Sequence, residues 1–119
     1  MIIKKIYHLA SCSTNQRILK EWGKGIKSFE MQEIKTEPIT KAQLEQMKKL
    51  AGSYEALFSR VALKFRSMGL NKLELTEEDY KRLILEEYTF LKRPVMINEK
   101  QIFVGNAPKI VLAAKESLE

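Results

Sequence analysis

The sequence predicts an α/β fold: a small mixed sheet of about four strands flanked by helices, in the order β-α-β, a helical block, then β-β-α. Three observations carry this. An apolar run at the N-terminus leads into a helix-patterned stretch and then an alternating run, the signature of a strand–helix–strand unit. A middle stretch from about residue 40 to residue 90 repeats apolar residues at threes and fours. Near the C-terminus, two short apolar runs separated by polar residues precede a proline-led apolar stripe.

The first strand is expected from Ile2 to His8. Ser13 to Glu21 reads as a helix in which Ile18, Leu19 and Trp22 form the apolar stripe, and Gly23 and Gly25 end it. Phe29-Glu30-Met31-Gln32-Glu33-Ile34 alternates apolar and polar residues and reads as a second strand, parallel to the first across the intervening helix. Thr40 with Gln43 forms a capping-box pair, and Ala42, Leu44, Met47 and Leu50 supply the apolar side of the next helix. Tyr54 to Met68 is helical in pattern, with Leu57, Phe58, Val61, Phe65 and Met68 as its crowded apolar positions. Thr76 to Asp79 opens another helix, with Tyr80, Leu83, Ile84 and Tyr88 turned inward. Pro94 stops the helical tendency. Val95-Met96-Ile97 and Gln101-Ile102-Phe103-Val104 form a hairpin around Asn98-Glu99-Lys100. Gly105 turns the chain, and Pro108 starts a last helix with Ile110, Val111, Ala114 and Leu118 inward.

At 119 residues with 45% hydrophobic content, the chain is read as one domain, residues 1–119, with a helical insertion at about 40–90. It has one cysteine, which excludes an internal disulfide framework and a thiolate-cluster metal site and fits a reducing cytoplasm. No metal is expected. Met1-Ile2-Ile3-Lys4-Lys5 lacks the layout of a secretory signal, and no run approaches the ~18 apolar residues of a membrane span. The 21 Lys+Arg against 15 Asp+Glu give a formal charge of +6. Such a charge attracts anions of any size, but the basic residues are scattered, as on a solvated surface. Direct nucleic-acid binding is not expected.

The candidate reactive group is Cys12. It lies between the first apolar run and the first helix, in Tyr7-His8-Leu9-Ala10-Ser11-Cys12-Ser13-Thr14-Asn15-Gln16-Arg17. A thiol at a strand-to-helix turn faces unpaired amides and the positive end of the helix, which favour thiolate, the nucleophilic form. His8, the only histidine, lies four residues upstream and reaches Cys12 only if the loop folds back. Ser13 and Thr14 are ordinary helix-start residues whose backbone N–H groups are placed to cradle an anion.

Taken together, Cys12, the pair Arg93-Pro94 before the hairpin, and Val104-Gly105 before the last helix resemble the thioredoxin-like family of glutaredoxin-coupled arsenate reductases and the related Spx proteins. The similarity runs from Ile6 to the last helix. The resemblance implies that Cys12 attacks an oxyanion such as arsenate, that glutathione resolves the arsenylated thiol, and that glutaredoxin recycles the mixed disulfide; no cofactor is bound. It implies a cis peptide before Pro94, facing the cysteine. It makes Arg93 and Arg60 the oxyanion-binding residues, by paired guanidinium donors. Two departures stand out. Gly105 occupies the place of a third family arginine, and Asn15 occupies the place of the second cysteine in Spx redox switches.

Plain structural roles stay open for several of these residues: packing for His8, surface charge for Arg93 and Arg60, helix capping for Ser13 and Thr14. The leading reading is therefore a cytoplasmic arsenate reductase-like thiol oxidoreductase with glutathione and glutaredoxin as partners. The alternative is an Spx-like regulator that binds RNA polymerase. A third is a glutathione-dependent reductase acting on another substrate.

Overall fold

The computed structural model describes residues 3–119; the expectation that the first strand begins at Ile2 lies outside them. The chain divides into two compact units, one made of residues 3–37 with Arg93–Glu119 and the other of Pro38–Lys92.

The first unit carries the whole sheet, in the order β2-β1-β3-β4. Strand β1 is Lys4–His8, β2 is Glu30–Glu33, β3 is Val95–Asn98 and β4 is Gln101–Val104. β1 runs parallel to β2 and antiparallel to β3, which pairs antiparallel with β4. Helix α1, Ser13–Trp22, crosses between β1 and β2, and helix α5, Pro108–Glu116, follows the hairpin. α1 starts where the sequence places it and runs one residue further, closed by Gly23 at φ 55°, and α5 starts at Pro108 as the sequence places it.

One core holds this unit together. Ile6 and Met96, opposite each other in register, are buried with Ile18 and Trp22 of α1, Phe29, and Val111 and Ala114 of α5. Each fully buried large apolar side chain here contributes about 1.5–3 kcal/mol. The Trp22 indole N–H donates to the Val111 carbonyl at 3.1 Å, tying α1 to α5. Gly25 lies beyond the end of α1 and packs closely on Leu118, whose Cδ1 would be 2.9 Å from a Cβ there.

The second unit is helical. Helix α2, Lys41–Ala51, and helix α4, Glu77–Glu86, both begin with the capping boxes their sequences announce, Thr40 with Gln43 and Thr76 with Asp79. Between them the structure departs from the helical pattern expected over Tyr54–Met68. A 3-10 turn at Glu55–Leu57 gives way to an extended Phe58, and only Leu63–Ser67 forms helix α3. The cause is a tertiary contact. Phe58 bridges Leu91, with the Ser59 N–H donating to Phe90 at 2.7 Å and the Lys92 N–H to Leu57 at 2.8 Å. Its ring packs on Phe90, Tyr80 and Phe65 with centroids 5.1, 4.9 and 5.9 Å away. Burying Phe58 completely outweighs local helix preference. Val61 and Met68, expected inward, are 92% and 50% exposed as a result. Tyr88 likewise falls beyond the end of α4, in a half-buried 3-10 turn.

Candidate active site

Strand register decides which residues meet. Tyr7 lies opposite Val95 and His8 beside Glu33, and Val95 lies opposite Val104. One step beyond these pairs, the end of β1, Pro94 and Gly105 therefore share one end of the sheet. The Gly105 N–H donates to the Pro94 carbonyl at 2.9 Å. The loop that leaves this end of β1 carries Cys12.

That loop does fold back. The Cys12 N–H donates to the Leu9 carbonyl at 3.1 Å, closing a tight turn. Cys12 is the N-cap of α1, in extended conformation at φ −89° and ψ 115°, and supplies no side-chain cap. Its half-buried sulfur thus stands at a helix start, with Ser13 and Thr14 in the first turn. An anion at such an end is favoured by about 0.3–1 kcal/mol, more when partly buried. Arg17 is exposed.

Three polar side chains brace the loop, and sequence reasoning gave none of them that role. Asn15, 1% exposed, accepts the Leu9 N–H on Oδ1 at 3.0 Å and extends Nδ2 to the Cys12 sulfur at 3.5 Å. Gln16 Nε2 donates to the Ala10 carbonyl. Glu33 Oε2 accepts the Ala10 N–H at 2.8 Å, and its Oε1 accepts from the backbone of Lys35 and Thr36 and from the Thr36 hydroxyl. The one sequence signal was an asparagine and a glutamine in the first turns of a helix, where short amides favour local bonds.

Burial tends to raise the Glu33 carboxyl, but the hydrogen bonds from Ala10, Thr36 and Lys35 outweigh it and hold it below the ordinary 4.5. A depressed acid stabilises the fold above its unfolded value, and that contribution is lost as pH falls through the folded one. Thermal melts should therefore show Glu33→Gln less stable than the native chain at pH 7, with the gap closing as pH drops below about 4.5. A gap that stays constant with pH would show that the Glu33 bonds do not depend on its charge.

His8 ends β1. Burial pushes its imidazole below the usual 6.5, with Glu33 acting in the opposite direction. Its Nδ1 is buried and has no hydrogen-bond partner among the described residues. His8 therefore presents a ring held toward its neutral form.

Arg93 is half-buried and joined to a buried Pro94 by a cis peptide bond, as the resemblance implied. Gly105 has φ 92°, in the left-handed region that glycine adopts without a Cβ penalty. The structure thus brings His8, Cys12, Ser13, Thr14, Arg93 and Pro94 to one end of one sheet.

Arg60 belongs to the helical unit. Its Nη2 donates to Glu55 and to the Tyr80 hydroxyl, both at 2.7 Å, and its guanidinium lies 5.5 Å from the Tyr80 ring centroid. The Glu55 hydrogen bond raises its pKa above the usual arginine value. No group of three or more His, Cys, Asp or Glu side chains among the described residues is placed to hold a metal ion. None of the described helices is long and apolar enough to cross a membrane.

A four-stranded mixed sheet with helices, a lone cysteine at the first helix start and a cis-proline before the third strand define a thioredoxin-like protein with a single-thiol site. The ArsC family model matches residues 7–114, and the chain belongs to the ArsC family. Solved structures share the fold at low identity. An arsenate reductase from Vibrio cholerae is 16% identical, with a TM-score of 0.76, over 94% of this chain and 97% of that one. A candidate arsenate reductase from Yersinia pestis is 17% identical, with a TM-score of 0.77, over 92% and 98%. A candidate ArsC-family-related protein from Bacteroides fragilis is 22% identical, with a TM-score of 0.75, over 98% and 97%. No curated protein matches the chain.

Proposed function

We propose that this ArsC-family chain is a cytoplasmic thiol oxidoreductase of the arsenate reductase type, with Cys12 as nucleophile and glutathione and glutaredoxin as reductants. The observation that supports it most is the convergence of Cys12, at a helix start, with Arg93 and cis-Pro94 at the same end of the sheet. In this reading the Cys12 sulfur attacks arsenic(V); an S–As bond forms and an arsenic-bound oxygen leaves as water. The thiolate of glutathione then attacks the Cys12 sulfur. The S–As electron pair passes to arsenic, which departs as arsenite, and a Cys12–glutathione disulfide remains. Two thiols are oxidised as one arsenic(V) is reduced by two electrons. Glutaredoxin takes the glutathione by thiol–disulfide exchange and frees Cys12. The α1 amides from Ser13 and Thr14 and the Arg93 guanidinium offset the oxyanion charge, and Pro94 shapes the site.

The test is coupled turnover of arsenate with glutathione and glutaredoxin, comparing the native chain with Arg93→Ala. Each charge-assisted hydrogen bond is worth about 1.5–3 kcal/mol, so kcat/KM should fall roughly ten- to hundredfold. Equal kcat/KM for both proteins would remove Arg93 from the site.

Gly105, which leaves the site one cation short of the family pattern, favours a second reading: an Spx-like regulator that binds RNA polymerase. Co-purification with polymerase, together with no arsenate turnover, would select it.

A further inference from the structure

We infer that Asn15 is the positioning residue of the Cys12 thiol. Its orientation is fixed by chemistry. The Leu9 N–H can only donate, so the atom that receives it at 3.0 Å is Oδ1, and the amide hydrogens of Nδ2 must face the sulfur 3.5 Å away. The residue is 1% exposed and its bond from Leu9 is buried, so water does not compete for the contact that fixes the carboxamide. Leu9 is also the residue whose carbonyl receives the Cys12 N–H. One buried carboxamide therefore links the two ends of the loop turn and aims a donor at the reactive atom.

Asn15 in this position does two things at once. It fixes the sulfur in one place, and it provides an N–H to whatever negative charge the sulfur carries. An N–H donor favours the charged form of the group it meets, and a carboxylate at the same place opposes it. The inference rests on the reading of Cys12 as a nucleophile. It concerns the thiol itself, so it can be tested without arsenate.

The experiment is the rate of Cys12 alkylation by iodoacetamide against pH, for the native chain, Asn15→Asp and Asn15→Ser. Asn15→Asp keeps the acceptor for Leu9 but replaces the donor with a negative charge. At pH 7 its rate should fall about tenfold or more and its profile should move to higher pH, with the high-pH plateau within about threefold of the native one. Asn15→Ser, which keeps a smaller polar group, should fall between. His8 and Glu33, the titratable groups packed beside the loop, are the same in all three proteins, so a displacement reports on residue 15. A second measurement needs no variant. The Asn15 side-chain amide resonances of the native protein should shift with pH along the alkylation profile and lose that shift once Cys12 is alkylated. Native and Asn15→Asp profiles that coincide, or amide resonances indifferent to the state of Cys12, would overturn the inference. A purely structural role would lower stability and leave the profile in place. Absent arsenate turnover with a displaced profile would leave Asn15 in its role and sink the proposed substrate instead.

Discussion

Cys12→Ser is expected to abolish arsenate-dependent oxidation of glutathione, by at least about a thousandfold, the scale on which loss of a covalent nucleophile acts. The substitution separates chemistry from folding unusually well at this position. Cys12 is a half-buried N-cap that makes no cap bond through its side chain. Serine is nearly the same size and is among the preferred N-cap residues, so the melting temperature should hold or rise slightly. Activity and stability are thus expected to move apart, which coupled turnover and a thermal melt on the same sample would check. Loss of both together would point to a structural cysteine. Retained turnover would leave the chemistry without its nucleophile, since the chain has no other thiol.

Phe58→Ala should have the largest effect on stability, about 3–5 kcal/mol. The ring is fully buried and in contact with three other aromatic rings, and the backbone beside it carries the bridge to Leu91. Val61→Ala, three residues on, is the control. Val61 is 92% exposed, and surface changes of that kind stay within about 0.5 kcal/mol. The two residues look alike in the helical pattern of the sequence, so urea denaturation of both variants discriminates the pattern from the structure. Similar costs for the two would mean that the extended Phe58 segment is wrongly placed.

How much was legible follows from what each feature depends on. The strands were visible because alternation and β-type residues are local, and the capping boxes at Thr40 and Thr76 because a three-residue spacing is a local chemical device. The Tyr54–Met68 segment was not. Its fate turns on a bridge from Phe58 to Leu91, and no window of the sequence contains both. The same division runs through the site. Cys12 could be placed at a helix start from its neighbours, and Arg93-Pro94 at a strand start from the hairpin after it. The role of Asn15 could not, because it needs the loop already closed between Leu9 and Cys12. Seen only as a missing second cysteine, it was read by what it lacked. Glu33 was hidden for a similar reason: its bond to Ala10 spans the register between β1 and β2.

The most direct test of the account is the mass of the protein after incubation with glutathione, with and without arsenate, in the absence of glutaredoxin. The account predicts one glutathione joined by disulfide to Cys12, formed only when arsenate is present, with arsenite released in equal amount. Arsenite formed without modification of Cys12, or an unmodified protein and no arsenite, would contradict it.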